Sequence, residues 1–131
     1  MKRTIVKQAE GHAPPRGHYS HGVIVESSRT LYVAGQVPVD KDGNIVSPGN
    51  AEAQTRQVME NIKRVIEEAG GKMEDVAKTT VYVTNLEDRG PIGEMRKEYF
   101  PGEPPANTFL VISSLAQPDF LVEIEAVVPL P

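Results

Sequence analysis

Val122-Glu123-Ile124-Glu125-Ala126-Val127-Val128 alternates apolar and acidic side chains with the period of two that an extended strand imposes. That geometry puts Val122, Ile124, Ala126 and Val128 on one face. Glu123 and Glu125 point together to the other, roughly 6 to 7 Å apart along the strand. One face therefore asks for a hydrophobic core, and the opposite face carries two carboxylates. Spacing alone leaves two readings of that second face open, a solvated surface with ordinary glutamates or a carboxylate set at a cleft.

Working outward, the strand runs from about Phe120 to Val128 and is joined by the loop Ser114-Leu115-Ala116-Gln117-Pro118-Asp119 to a strand from about Asn107 to Ser113. Before these, Pro101-Gly102-Glu103-Pro104-Pro105 breaks a helix whose apolar stripe is Ile92, Met95 and Tyr99 or Phe100. Pro91 is tolerated there only in the first turn, where its missing N–H costs no hydrogen bond. Val76 to Thr84 is rich in Thr, Val and Tyr and reads as a strand. From Ala51 to Ala69 the positions Val58, Ile62, Val65, Ile66 and Ala69 recur at helical spacing. Asn50 suits the N-cap of that helix and Gly70-Gly71 its end. Toward the N-terminus lie a short strand at Thr4-Ile5-Val6 and two β-rich runs, Val23-Ile24-Val25 and Leu31-Tyr32-Val33-Ala34-Gly35. Ser27-Ser28-Arg29 separates them at a length that fits a hairpin turn.

The predicted order is β-β-β-α-β-α-β-β, an α+β fold in one domain spanning residues 1–131. Two helices cannot cover both faces of a six-stranded mixed sheet. With both on one face, the other either stays polar or packs against another copy of the chain.

Charge and composition exclude several functions. Lys and Arg number 14 against 18 Asp and Glu, so the net charge is -4 and no broad basic face is expected for a phosphate backbone. Nucleic acid is an unexpected partner. The chain has no cysteine, which removes disulfides, thiolate metal sites and thiol nucleophiles together. No apolar run approaches the roughly 20 residues that span a bilayer, and Met1-Lys2-Arg3-Thr4 opens no signal-peptide core, so no membrane partner and a cytoplasmic location are expected. His12, His18 and His21 sit in a Pro/Gly loop leading into a strand; His18 and His21 are three apart, but with no Cys and no third ligand near that pair neither a metal site nor a cofactor is expected.

Five segments resemble the RidA (YjgF/YER057c/UK114) family in order and spacing. They are Ala34-Gly35-Gln36-Val37-Pro38, Ala69-Gly70-Gly71, Thr79-Thr80-Val81-Tyr82-Val83, Tyr99-Phe100-Pro101-Gly102 and Val122-Glu123-Ile124-Glu125-Ala126. The match extends from about Arg3 to Val128. The resemblance implies a chorismate-mutase-like fold and a homotrimer with inward-facing sheets and clefts between subunits. In those clefts enamines or imines are hydrolysed to carbonyl compounds and ammonia. It also implies roles: Glu123 would position and deprotonate the attacking water, Gly35 would offer a bare backbone N–H to the substrate, and Tyr19 would flank the ligand. The residues themselves leave open that Gly35 is a strand bulge and that Tyr19 is ordinary packing.

The chain departs from the family pattern at Asn107, which replaces the arginine that grips a substrate carboxylate. His18 stands where proline is usual, His21 where glutamine is usual, and Gly93 where some members carry asparagine. An altered substrate range follows, with Arg16, His18 and His21 expected at the cleft mouth beside Asn107. Three functions fit: an enamine/imine deaminase, a non-catalytic trimeric module binding a small 2-oxoacid-like metabolite, and an endoribonuclease, which the acidic charge disfavours.

Overall fold

The computed structural model describes residues 1–7 and 9–131. Six strands and two α-helices appear in the expected order: β1 (Lys2–Val6), β2 (Gly22–Glu26), β3 (Arg29–Gln36), α1 (Ala51–Glu68), β4 (Lys78–Val83), α2 (Arg89–Tyr99), β5 (Ala106–Val111) and β6 (Val122–Leu130). Single-turn 3-10 helices at Met73–Asp75 and Leu86–Asp88 lead into β4 and α2.

The strands divide into two sheets. β3, β6, β4 and β5 lie side by side in that order, while β1 and β2 form a separate antiparallel ribbon from Lys2↔Glu26 to Val6↔Gly22. The expected hairpin between β2 and β3 is thus corrected. Ser27 and Ser28 connect the two sheets, and the Ser27 hydroxyl donates to the Leu130 carbonyl (2.5 Å), with the Arg29 carbonyl 3.0 Å away as the alternative acceptor. In the main sheet β6 is antiparallel to both neighbours, and β4 and β5 are parallel because α2 carries the chain back over the sheet between them.

The capping signals act as the residues require. Asn50 Oδ1 accepts from the Ala53 N–H at 3.0 Å and opens α1; at the other end Gly70 takes φ +88°, a left-handed value that glycine adopts without a Cβ clash. Pro91 lies in the first turn of α2.

The apolar face of β6 forms the centre of the core. Val122, Ile124 and Val128 are fully buried against Val58, Met59, Ile62 and Ile66 of α1 and against Val81 and Val83 of β4, with Ile92 and Met95 of α2 in the same cluster. Gln54 joins this core as a polar pin: its Nε2 donates to the carbonyls of Val46 (3.1 Å) and Asp119 (2.8 Å), and its Oε1 accepts from the Leu121 N–H at 2.9 Å. Both helices share the Val122/Ile124 side of the sheet. The other side is left open, and Tyr32 there is 76 % exposed. Among the described residues no helix is long and apolar enough to cross a membrane.

Removing most of a fully buried side chain from β6 leaves a cavity between the sheet and α1. Ile124→Ala is expected to lower unfolding stability by about 2–5 kcal/mol in a denaturant titration. A loss under about 1 kcal/mol would place Ile124 outside the core.

Candidate functional site

Chemistry-bearing side chains gather in two places on opposite faces of the main sheet. The first is the open face. Along β3 the register with β6 shifts between Val33 and Gln36, and this bulge brings Gly35 against Glu123. A Cβ on Gly35 would overlap Glu123 Oε2 and stand 2.8 Å from its Cδ. Gly35 is needed there because the carboxylate occupies the space of a side chain.

Glu123 and Glu125 are not equivalent. Tyr82 Oη donates to Glu125 Oε1 at 2.9 Å, and this hydrogen bond, with partial burial and the two nearby carboxylates, holds the Tyr82 hydroxyl pKa above its ordinary value. Glu123 is half-buried and makes no side-chain hydrogen bond or ion pair among the described residues. It is the free carboxylate of the pair, and strand period alone could not show this.

The second place is a cleft of about 550 Å³ between the loop before β2, the helix α2 and the start of β5. Arg16, His18, Tyr19 and Asn107 all line it, with Gly93 and Arg96 of α2. The loop is held by its own bonds. Tyr19 Oη accepts from the Arg16 N–H at 3.2 Å, His18 Nε2 donates to the Phe100 carbonyl at 2.6 Å, and Ser20 Oγ donates to the Pro104 carbonyl at 2.6 Å. His21 is not among the lining residues. Its Nε2 donates to the Ala13 carbonyl at 2.8 Å and its ring stacks on His12 with centroids 4.3 Å apart, so it shapes the loop from behind. Among the described residues no group of three or more His, Asp or Glu is placed to hold a metal ion.

Asn107 is half-buried on the helix-facing side of β5. Its Oδ1 accepts from Thr79 Oγ1 at 2.7 Å, and that hydroxyl accepts in turn from Arg96 Nη1 at 2.8 Å. Arg96 Nη2 donates to the His18 carbonyl at 3.3 Å, and the guanidinium lies 5.2 Å from the Phe100 ring centroid. Burial without a neighbouring carboxylate pushes its pKa down to about 10, so it remains charged at neutral pH. Sequence reasoning missed Arg96 because an arginine beside the Ile92 and Met95 stripe reads as the flank of an amphipathic helix. The residue that faces Thr79 across the helix–sheet interface is not encoded locally.

Tyr19, His18, Arg16 and Asn107 thus share one cleft, while Gly35 and Glu123 share another face. The β4 register relates the two sets: Thr79 pairs with Asn107 and points into the core, and Tyr82 pairs with Glu123 and points to the open side. One copy of the chain does not bring them together.

Comparison with known proteins agrees with this architecture. Residues 10–129 match the family model described as Endoribonuclease L-PSP. YyfB from Yersinia pestis, a protein of unknown function of the conserved Rid family, is 35 % identical; the match covers 99 % of this chain and 100 % of YyfB, with a TM-score of 0.92. RidA from the Antarctic bacterium Psychrobacter sp. PAMC 21119 is 30 % identical over 95 % of this chain and 98 % of its own, with a TM-score of 0.72. A YjgF/YER057c/UK114 member from Mycobacterium tuberculosis is 26 % identical over 98 % and 100 %, with a TM-score of 0.69. The chain belongs to the Rid (YjgF/YER057c/UK114) family.

Proposed function

We propose that the protein is a homotrimeric deaminase that hydrolyses small enamines and imines to carbonyl compounds and ammonia, without cofactor or metal. The observation that carries this reading is the pairing of Glu123 with Gly35, an unpartnered carboxylate held against a bare stretch of backbone. Trimer assembly would lay the open sheet face of one copy beside the loop and α2 of the next. Each cleft would then combine Arg16, His18, Tyr19 and Asn107 of one copy with Gly35 and Glu123 of its neighbour.

In that setting the chemistry is short. An enamine first takes a proton at carbon to become the iminium. Glu123 accepts a proton from water as the water oxygen bonds to the iminium carbon, giving a carbinolamine. The carboxyl then returns that proton to nitrogen, and as the C–N bond breaks the carbinolamine hydroxyl gives its own proton to the Glu123 carboxylate, so that ammonia leaves and the neutral carbonyl forms. Asn107 in place of arginine withdraws the direct cation from β5, and the substrate range would differ accordingly. A non-catalytic metabolite-binding module would use the same cleft, and ammonia release separates the two.

Light scattering is expected to give about three times the 14.3 kDa chain mass, as a closed cyclic assembly requires. A monodisperse monomer at micromolar concentration would remove the shared cleft. Glu123→Gln keeps the side chain's shape but loses the base, so ammonia release should fall by roughly 10²–10⁴-fold with little change in Tm. Glu125→Gln, which disturbs only the Tyr82 contact, should fall far less; equal losses would return both glutamates to an ordinary strand face.

Gly35→Ala places a methyl group where Glu123 Oε2 lies. The carboxylate can swing away, so stability should change by less than about 1 kcal/mol while turnover falls at least tenfold. Unchanged turnover in this variant would separate Glu123 from the chemistry.

A further inference from the structure

Arg96 is a buried cation without a counter-charge. It is only 4 % exposed, yet no carboxylate forms an ion pair with it among the described residues. Buried charges are normally paired, because desolvating an ion without a counter-charge is costly. The guanidinium carries five N–H donors, and its hydrogen bonds reach the Thr79 hydroxyl and the His18 carbonyl, both neutral. It nevertheless lines the cleft.

The rest of that cleft has the same sign. Arg89 and Arg96 stand on one face of α2 with Gly93 between them, at spacings of four and three residues. A Cβ at Gly93 would meet no heavy atom within 4 Å, so the helix surface between the two arginines is open. Arg16 approaches from the loop opposite. Arg16 and Arg89 are exposed and take no part in an ion pair among the described residues. The acid lining the cleft, Glu94, is engaged by Lys97 at 3.2 Å. Three arginines without carboxylate partners among the described residues therefore line one cavity, in a chain whose net charge is -4.

From this arrangement we infer that the cleft is a subsite for a small dicarboxylate, with Arg96 holding the inner carboxylate and Arg89 with Arg16 the outer one. The planar fork of a guanidinium matches a carboxylate in two parallel hydrogen bonds. The relay from Arg96 through Thr79 to Asn107 orients the Asn107 amide, leaving its Nδ2 to donate into the same space. The ligand would be a dicarboxylic imine or its 2-oxoacid product, and that part rests on the deaminase reading above.

Calorimetric titration of the intact protein tests the subsite without requiring turnover. The probes are 2-oxoglutarate, 2-oxobutyrate, 2-oxobutyrate methyl ester and inorganic phosphate. Wild type is expected to bind 2-oxoglutarate about tenfold or more tightly than 2-oxobutyrate, and the ester and phosphate more weakly still. Arg96→Lys, which keeps the charge but loses the fork, should weaken both acids about tenfold. Arg89→Ala, a surface change that leaves folding intact, should weaken 2-oxoglutarate alone. Equal binding of ester and acid, phosphate binding as tight as 2-oxoglutarate, or unchanged affinities in the folded variants would each overturn the inference. Binding as expected without ammonia release would sink the deaminase reading and leave the subsite standing; ammonia release indifferent to Arg89 and Arg96 would do the reverse.

Discussion

The structure depends on β6 having two unlike faces. Val122, Ile124, Ala126 and Val128 are buried against both helices, and this apolar stripe fixes which way every other side chain on the strand must point. A slip of one residue would send Glu123 and Glu125 into the core and strand the valines outside, so the register is specified by the cost of that exchange. With β6 set between β3 and β4, the position of Glu123 follows from core packing. The β3 bulge at Gly35 then supplies the one local adjustment, clearing the space that the carboxylate occupies.

A second constraint acts on the opposite side of the sheet. Arg96 reaches from α2 to Thr79 on β4 and to the His18 carbonyl, while His18 reaches back to Phe100 at the end of the same helix. These bonds fasten the loop before β2 onto α2, and Tyr19 is carried into place with it. The same contacts hold a cation at low exposure beside Asn107. The proposed recognition role would therefore fall on a residue that also holds the loop in place, which is why the conservative Arg96→Lys change is more informative than a truncation.

Much of this fold was legible along the chain. Helical spacing in Val58, Ile62 and Ile66, period two in β6, and the Asn50 and Gly70 signals are local, and each acts through local geometry. The pairing of β2 with β1 was not legible, because Ser27-Ser28-Arg29 has the length of a hairpin turn and only tertiary context decides which neighbour a strand takes. Gln54 also escaped notice, since two of its three partners, Asp119 and Leu121, are distant in sequence and Val46 lies in the loop before α1. In the candidate site, Glu123 and Gly35 could be singled out by pattern and resemblance. Their contact, the engagement of Glu125 by Tyr82, and the burial of Arg96 are tertiary features that no local pattern encodes. His21, expected at the cleft mouth, packs on His12 instead because a loop histidine is placed by whichever carbonyl and ring lie nearest.

The central claim is that a working cleft takes one half from each of two copies. Co-producing a Glu123→Gln chain with a Gly93→Phe chain tests it, since the first keeps a sound α2 cleft and the second, with that cleft filled, keeps a sound carboxylate. Each variant alone should release almost no ammonia from its substrate. In randomly mixed trimers about a quarter of the clefts would draw both sound halves from different copies, and ammonia release should recover to about a quarter of wild type. Mixed trimers no more active than the two parents would contradict the shared cleft.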